Sequence, residues 1–259
     1  MNTVQLTKLD KTVSGWMHDM QTHVMKRLTQ KMTIETKSNH RDLVTNVDRE
    51  TEQFYVEAIR TFDPQAKILG EEGLGDRVTD MDGHVWFVDP IDGTMNFVKQ
   101  HAEFASMLAY YEDGQPVMAW IMDVANNQIV HGGPEYGVFL DEQRLEKPNL
   151  ESLADGLIVL SGARLLYEQY GFPEIAKAAL GYRVYGSAGI SYLRLLTGRA
   201  VGYISYMKPW DFAAGVLLSQ ALGLTNGTID GSTLNVLQSG VVLTANEKAF
   251  DDIIQIQQK

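Results

Sequence analysis

The stretch Trp86–Phe97, WFVDPIDGTMNF, decides how the rest of the chain is read. Its apolar beginning, Val85 to Val88, has the character of a short buried strand. Two carboxylates follow, Asp89 and Asp92, on either side of Pro90, and Gly93-Thr94 then lead into Met95-Asn96-Phe97. Carboxylates at the end of a strand can share one divalent ion or bridge two. Pro90 fixes the backbone between them, and Gly93 permits a close backbone approach or a positive φ. Thr94 is placed to open a helix whose free N–H groups face an anion. Asp-Pro and Asp-Gly also form plain turns. A strand, two acids, a glycine and a helix start in one unbroken piece favour a site over a turn.

At 259 residues the chain has room for one large domain or two closely packed halves. An apolar share of 44% marks a folded globular protein. The formal charge of −11 speaks against a nucleic-acid backbone or an anionic membrane as the main partner. A small phosphorylated substrate stays open, because bound cations reverse the sign of a local site. Cysteine is absent, which removes a disulfide framework and a thiolate zinc site and suits a reducing compartment. No basic region followed by an apolar core opens the chain, and no apolar run of about 18 residues occurs in it. A cytoplasmic protein is expected.

Leu6, Leu9, Val13, Trp16, Met17, Met20 and Val24 recur at helical spacing and predict a long amphipathic first helix. Residues 31–47 read as extended and irregular, and include Lys37. A second helix is predicted over Arg49–Phe62, with Phe54, Tyr55, Ala58, Ile59 and Phe62 inward and Asp48 as its N-cap. Asp63-Pro64 stops that helix, and Ala66–Leu69 resumes as a strand ending in Gly70-Glu71-Glu72-Gly73. Ala105–Tyr111 and Val117–Met122 predict a hairpin, extended by Gln128–His131 and Gly137–Leu140. The polar segment Glu142–Ser152 is the expected seam of a single catalytic unit. It divides an N-terminal α+β half, residues 1–147, from a C-terminal α/β half, residues 148–259. Strands are predicted in the second half at Leu157–Leu160, Arg183–Tyr185, Val201–Ser205, Asn226–Ile229 and Val241–Thr244. Helices are predicted near Pro173–Leu180, within Gly186–Leu196, over Trp210–Leu222 and from Glu247. Helices against sheets in both halves give a layered α/β or α+β architecture.

Three further acids belong beside Asp89 and Asp92. Glu71 ends a strand after Gly70, where a carboxylate can point past the sheet edge, although such a Glu-Glu pair is also an ordinary solvated turn. Asp211 sits in the first turn of a small, apolar helix, where it could equally complement the helix dipole. Asp48 is the third. Glu71, Asp89, Asp92 and Asp211 are hard oxygen ligands without His or Cys, a set suited to Mg²⁺, or Mn²⁺ as a substitute, rather than zinc. A carboxylate bridging two ions roughly 3.5–4 Å apart serves phosphoryl hydrolysis, one ion activating water and the other neutralising the leaving oxygen.

Gly70-Glu71-Glu72, then Trp86-x-x-Asp89-Pro90-Ile91-Asp92-Gly93-Thr94-x-Asn96-Phe97, then Trp210-Asp211-x-Ala213-Ala214-Gly215 follow in this order, and Asp42-Leu43-Val44-Thr45-x-x-Asp48 precedes them. The set resembles the inositol monophosphatase family, within the lithium-sensitive phosphatase group, from about residue 37 to the C-terminal region. The resemblance implies a five-layer αβαβα sandwich with the site between its halves, a homodimer, lithium inhibition, and two or three Mg²⁺ ions. It implies that Glu71, Asp89 and the Ile91 carbonyl hold one metal, and that Asp89, Asp92 and Asp211 hold a second. Glu71 with waters would take a weaker third. Thr94, hydrogen-bonded to Asp48, would orient and deprotonate the attacking water, with Glu71 as the third catalytic residue. A short hydroxyl paired to a carboxylate can activate water on its own chemistry. The Gly93 and Thr94 amides would cradle the phosphate, with Asp92, Asp211 and the loop Gly186-Ser187-Ala188 on the substrate side.

The chain departs from the family pattern on the polyol side. Ser205 falls about where animal inositol monophosphatases place a glutamate that binds inositol hydroxyls. The His that often precedes Trp-Asp is missing, and Lys208 stands nearby. Lys208 is either a solvated loop charge or, if it faces the pocket, a partner for a second anionic group. The paired glycines after the Trp-Asp helix are reduced to Gly223-Leu224. The expected activity is that of a Mg²⁺-dependent phosphomonoesterase, an inositol-phosphate phosphatase acting first on inositol 1-phosphate. Fructose 1,6-bisphosphate, nucleotide 3′-phosphates and the 2′-phosphate of NADP are competing substrates. A non-catalytic protein that binds a phosphorylated metabolite is the reading from a different class.

Overall fold

The computed structural model describes residues 1–37 and 43–258; Asp42 of the quoted motif lies outside the described residues. The chain runs α1 (Thr3–Arg27), β1 (Ile34–Thr36), β2 (Leu43–Thr45), α2 (Asn46–Phe62), β3 (Lys67–Gly70), β4 (His84–Asp92) and α3 (Thr94–Gln100). A meander follows: β5 (Ala105–Glu112), β6 (Gln115–Asp123), β7 (Gln128–Gly133), β8 (Gly137–Leu140) and β9 (Gln143–Arg144). After a 3₁₀ turn at Leu153–Asp155 come β10 (Leu157–Leu160), α4 (Gly162–Leu166), α5 (Phe172–Ala178), β11 (Gly181–Arg183) and α6 (Ala188–Leu196). The last elements are β12 (Gly202–Met207), α7 (Pro209–Ala221), β13 (Thr225–Thr228), β14 (Gly240–Ala245) and α8 (Glu247–Gln257).

Strands β3 to β9 form a seven-stranded sheet in sequence order, antiparallel except for the parallel pair β3 and β4. A five-stranded sheet has the order β11-β10-β12-β14-β13. Strand alternation sends Trp86, Val88, Leu108, Tyr110, Trp120 and Met122 to one face of the large sheet, against the apolar stripe of α1 and the buried face of α2. The other face carries Val85, Phe87, Met107, Ala109 and Ile121 into a second core shared with α6, α7 and the small sheet. A third core, with Phe172, Ile175, Phe250 and Ile253, covers the far face of the small sheet with α5 and α8. Helices, sheet, helices, sheet, helices is the five-layer αβαβα sandwich that the resemblance implied. Among the described residues, no helix is long and apolar enough to cross a membrane.

Several elements differ from expectation. Helix α2 starts at Asn46 with Thr45 as its N-cap, so Asp48 lies inside the first turn rather than capping it. Phe54 and Phe62 are exposed, at 36% and 39%, while Asp48, Thr51 and Glu52 are buried instead. The inward face is turned toward polar side chains because each acid on it finds a partner, which an apolar-inward pattern misassigns. The 3₁₀ turn and α4 fall where no element was predicted.

Ala213, Ala214 and Gly215 let helix α7 approach its neighbours closely between the sheets. Tyr111 donates its hydroxyl to the Ala213 carbonyl at 3.0 Å, and a methyl on Gly215 would lie inside the ring of Tyr192 from α6. Gly215→Ala gains about 1 kcal/mol of helix propensity but overpacks this contact at a cost of about 1–3 kcal/mol. Overpacking wins, so G215A should melt several degrees lower by scanning calorimetry. A Tm equal to or above that of the parent contradicts the close approach.

Candidate active site

Strand β4 does not end cleanly. Asp89 pairs with Met107 and Asp92 with Ala105, so Pro90 and Ile91 are crowded against the single residue Ser106. This bulge bends the strand end and re-aims its side chains. Gly93 then takes a left-handed conformation, φ 84°, and α3 begins at Thr94. A side chain at Gly93 would be strained at that φ and would also crowd Ser187, 3.0 Å from its Cβ.

A cavity of about 500 Å³ opens where the ends of β3 and β4 face α6 and α7. Glu71, Asp89, Ile91, Asp92, Gly93, Thr94, Gly186, Ser187, Ala188 and Asp211 all line it. Asp48 stands behind the wall, where its Oδ1 accepts a hydrogen bond from Thr94 Oγ1 at 3.0 Å. Its Oδ2 accepts from the Thr45 amide at 2.9 Å and the Thr45 hydroxyl at 2.5 Å. Asp48 thus completes the capping box of α2 from inside its first turn and also holds the Thr94 hydroxyl. Asp211 is similar: Oδ2 accepts from the Lys208 amide at 2.8 Å, and the carboxylate faces the cavity.

Asp92, like Asp48, accepts three hydrogen bonds. It accepts from the Ser187 hydroxyl, from the Ala188 amide at 2.9 Å and from the Gly189 amide at 2.7 Å. Those donors form the N-terminus of α6, so Asp92 ties the large sheet to the middle helical layer. Glu71 Oε1 receives Lys37 Nζ at 2.9 Å, and the same ammonium reaches Glu72 Oε1 at 2.5 Å. The Lys37–Glu71 pair and the Asp92–Ser187 bond were not foreseen; each joins residues remote in sequence and leaves no local signal. Lys208 is exposed with Nζ over the Trp210 ring, 5.2 Å from the centroid, and is not part of the cavity wall.

Burial dominates the electrostatics. It raises Asp89 well above the usual carboxylate range, and the charges of Glu71, Asp92 and Asp211 add to the shift. Burial carries Asp211 up to about 8 despite the Lys208 amide. It carries Asp92 to about 6 despite the Ser187, Ala188 and Gly189 donors. Asp48 is raised by burial as well, with the Thr45 and Thr94 hydrogen bonds opposing. Among the described residues, no three His, Cys, Asp or Glu side chains stand close enough together to hold an ion between them.

Asp89 decides what fits. It is 1% exposed, and its Oδ1 has no hydrogen-bond partner. An unpaired buried carboxylate oxygen is costly, and a cation facing it removes that cost. The acids that share its cavity, together with the Ile91 carbonyl, offer oxygen donors, a set that fits a hard divalent ion such as Mg²⁺.

The family model for the inositol monophosphatase family matches residues 5–259. The inositol-1-monophosphatase of Bacillus subtilis is 35% identical over 255 residues, covering 96% of each chain. A solved IMPase/NADP phosphatase in complex with Mg²⁺ and phosphate superposes with a TM-score of 0.89 at 29% identity, over 97% of this chain and 95% of that one. A staphylococcal inositol monophosphatase in a LiCl-soaked inhibitory complex superposes at 0.90 with 28% identity, over 97% and 94%.

The raised acids set a pH dependence. A carboxyl with a folded value above its unfolded one contributes stability that is complete in acid and lost as pH rises through the folded value. With Asp92 at about 6 and Asp211 at about 8, the Tm in EDTA should fall from about pH 5 to about pH 8. His131, raised by its bond to Asp10 against the effect of burial, adds to the fall, so the part that Mg²⁺ removes belongs to the cavity. A Tm in EDTA that is level or rising over this range contradicts the cluster.

Proposed function

The chain belongs to the inositol monophosphatase family, and from that premise we propose that it is a Mg²⁺-dependent phosphomonoesterase. The observation that carries the reading is Asp89, buried with an unpartnered oxygen beside Glu71, Asp92 and Asp211 in one cavity. Glu71, Asp89, the Ile91 carbonyl, Asp92 and Asp211 would hold the ions. Ions held there acidify water and offset the charge of the phosphate. Thr94 Oγ1 has one proton between two acceptors, Asp48 Oδ1 at 3.0 Å and the Ile91 carbonyl at 3.1 Å. As that proton passes to Asp48, the Thr94 oxygen can take one from the attacking water. Burial makes Asp48 the more basic partner, which suits the direction of transfer. The Gly93 and Thr94 amides would hold the phosphate.

Inositol 1-phosphate is the first substrate of the proposal. Tyr203, Ser205, Tyr206 and Met207 line the cavity, and Ser205 stands about where animal inositol monophosphatases place the glutamate for polyol hydroxyls. That observation supports the 2′-phosphate of NADP as the second substrate to try, ahead of fructose 1,6-bisphosphate and nucleotide 3′-phosphates. The proposal includes a homodimer, halves at residues 1–147 and 148–259 meeting at the cavity, and work in the cytoplasm, which a chain without cysteine suits.

Phosphate release from inositol 1-phosphate should require Mg²⁺ and be inhibited by Li⁺. Thr94→Ala should lower kcat by roughly 10²–10⁴-fold and leave Mg²⁺-induced stabilisation intact, whereas Asp89→Asn should lose both. Turnover indifferent to Mg²⁺, or equal in all three proteins, overturns the reading.

A further inference from the structure

Three of the polar side chains that helix α2 buries, Asp48, Glu52 and Tyr55, fall at helical spacing and are exposed by 1%, 0% and 0%. Each reaches a different piece of the site. Asp48 holds Thr94, as described above. Tyr55 OH pairs with Ser106 Oγ at 3.0 Å, and Ser106 Oγ donates to the Asp89 carbonyl at 3.3 Å. Glu52 accepts from the Glu72 amide at 2.7 Å with one oxygen and from the Leu74 amide at 2.8 Å with the other. Glu71 is thereby bracketed: its own amide donates to the Val88 carbonyl at 3.2 Å, and the chain just after it hangs on Glu52. Gly70 is shaped to the same contact, since a Cβ there would lie 2.5 Å from a Glu52 carboxylate oxygen.

A charged side chain wholly buried on a helix face is costly unless it does something a hydrophobic residue cannot. We infer that Glu52 is the positioning residue that fixes where Glu71 presents its carboxylate, and through it the affinity of the cavity for Mg²⁺. The inference rests on the metal-dependent reading above. Outer contacts of this kind, on the groups that orient a metal ligand, change metal affinity or activity by roughly 10–100-fold when removed.

Glu52→Gln keeps the volume but sets an N–H₂ group against one of the two backbone amides. Thermal-shift titration and phosphate release should both give a Mg²⁺ midpoint roughly tenfold higher than that of the parent. The Tm without Mg²⁺ should stay within a few degrees of the parent, and most activity should return at saturating Mg²⁺. Gly70→Ala displaces the same carboxylate without removing it, and should move the midpoint in the same direction. A lowered Tm with an unmoved midpoint in either folded variant assigns Glu52 to stability alone and overturns the inference, as does loss of the fold in both. A parent protein that neither gains stability from Mg²⁺ nor releases phosphate with it brings down the phosphatase reading first, and this inference with it.

Discussion

Asp89 is the constraint on which the rest of the structure depends. Its carboxylate is buried at a strand end with an oxygen that no protein group satisfies, and its neighbours Glu71, Asp92 and Asp211 carry the same charge. Like charges gathered in a poorly solvated cavity repel, so the surrounding layers must hold them there. The three apolar cores supply that force, since α2, α6 and α7 are each fixed against a sheet before any charge is considered. The result is a cavity arranged for a ligand of opposite sign, with the folding energy of five layers behind it.

Different layers restrain different acids. Asp92 is anchored by the N-terminus of α6, and Asp211 by the first turn of α7. Glu71 is met by Lys37, a cation that a metal ion at the same oxygen must displace or share with. Burial works against the Lys37 ammonium, but Glu71 and Glu72 hold its value above the usual lysine range. The loop bearing Glu71 and the hydroxyl of Thr94 both refer back to α2, through Glu52 and Asp48. A single helix face thus sets the distance between a proposed metal ligand and the proposed water-activating pair.

Much of this was legible in the sequence where the relevant contacts are local. Gly93 and Thr94 follow the two acids directly, so the left-handed glycine and the helix start could be read from residue types, whereas the bulge between Asp89 and Asp92 shows only in the pairing with β5. The stacking of five layers came through family resemblance, because periodicity places elements but not the order in which they pack. Glu52 escaped notice because a Glu in a charged helix reads as a solvated face, and only the tertiary contacts with Glu72 and Leu74 reveal it as buried. The same error in the opposite direction turned Phe54 inward. The Asp92–Ser187 bond joins the large sheet to the start of α6 and leaves no trace in local pattern. Lys208 could be read either way from its position in the chain, and its seat over Trp210 decides the matter.

Calorimetric titration of Mg²⁺ into the protein at pH 7, repeated in buffers of different ionisation enthalpy, reads the cavity most directly. Asp211, which burial raises to about 8, holds a proton at that pH and must release it when a cation binds. Saturable binding with net proton release, reduced at about pH 9 where Asp211 is already largely ionised, is the expected result. Binding without proton release, or no binding at millimolar Mg²⁺, would contradict a buried carboxylate cluster that awaits a divalent ion.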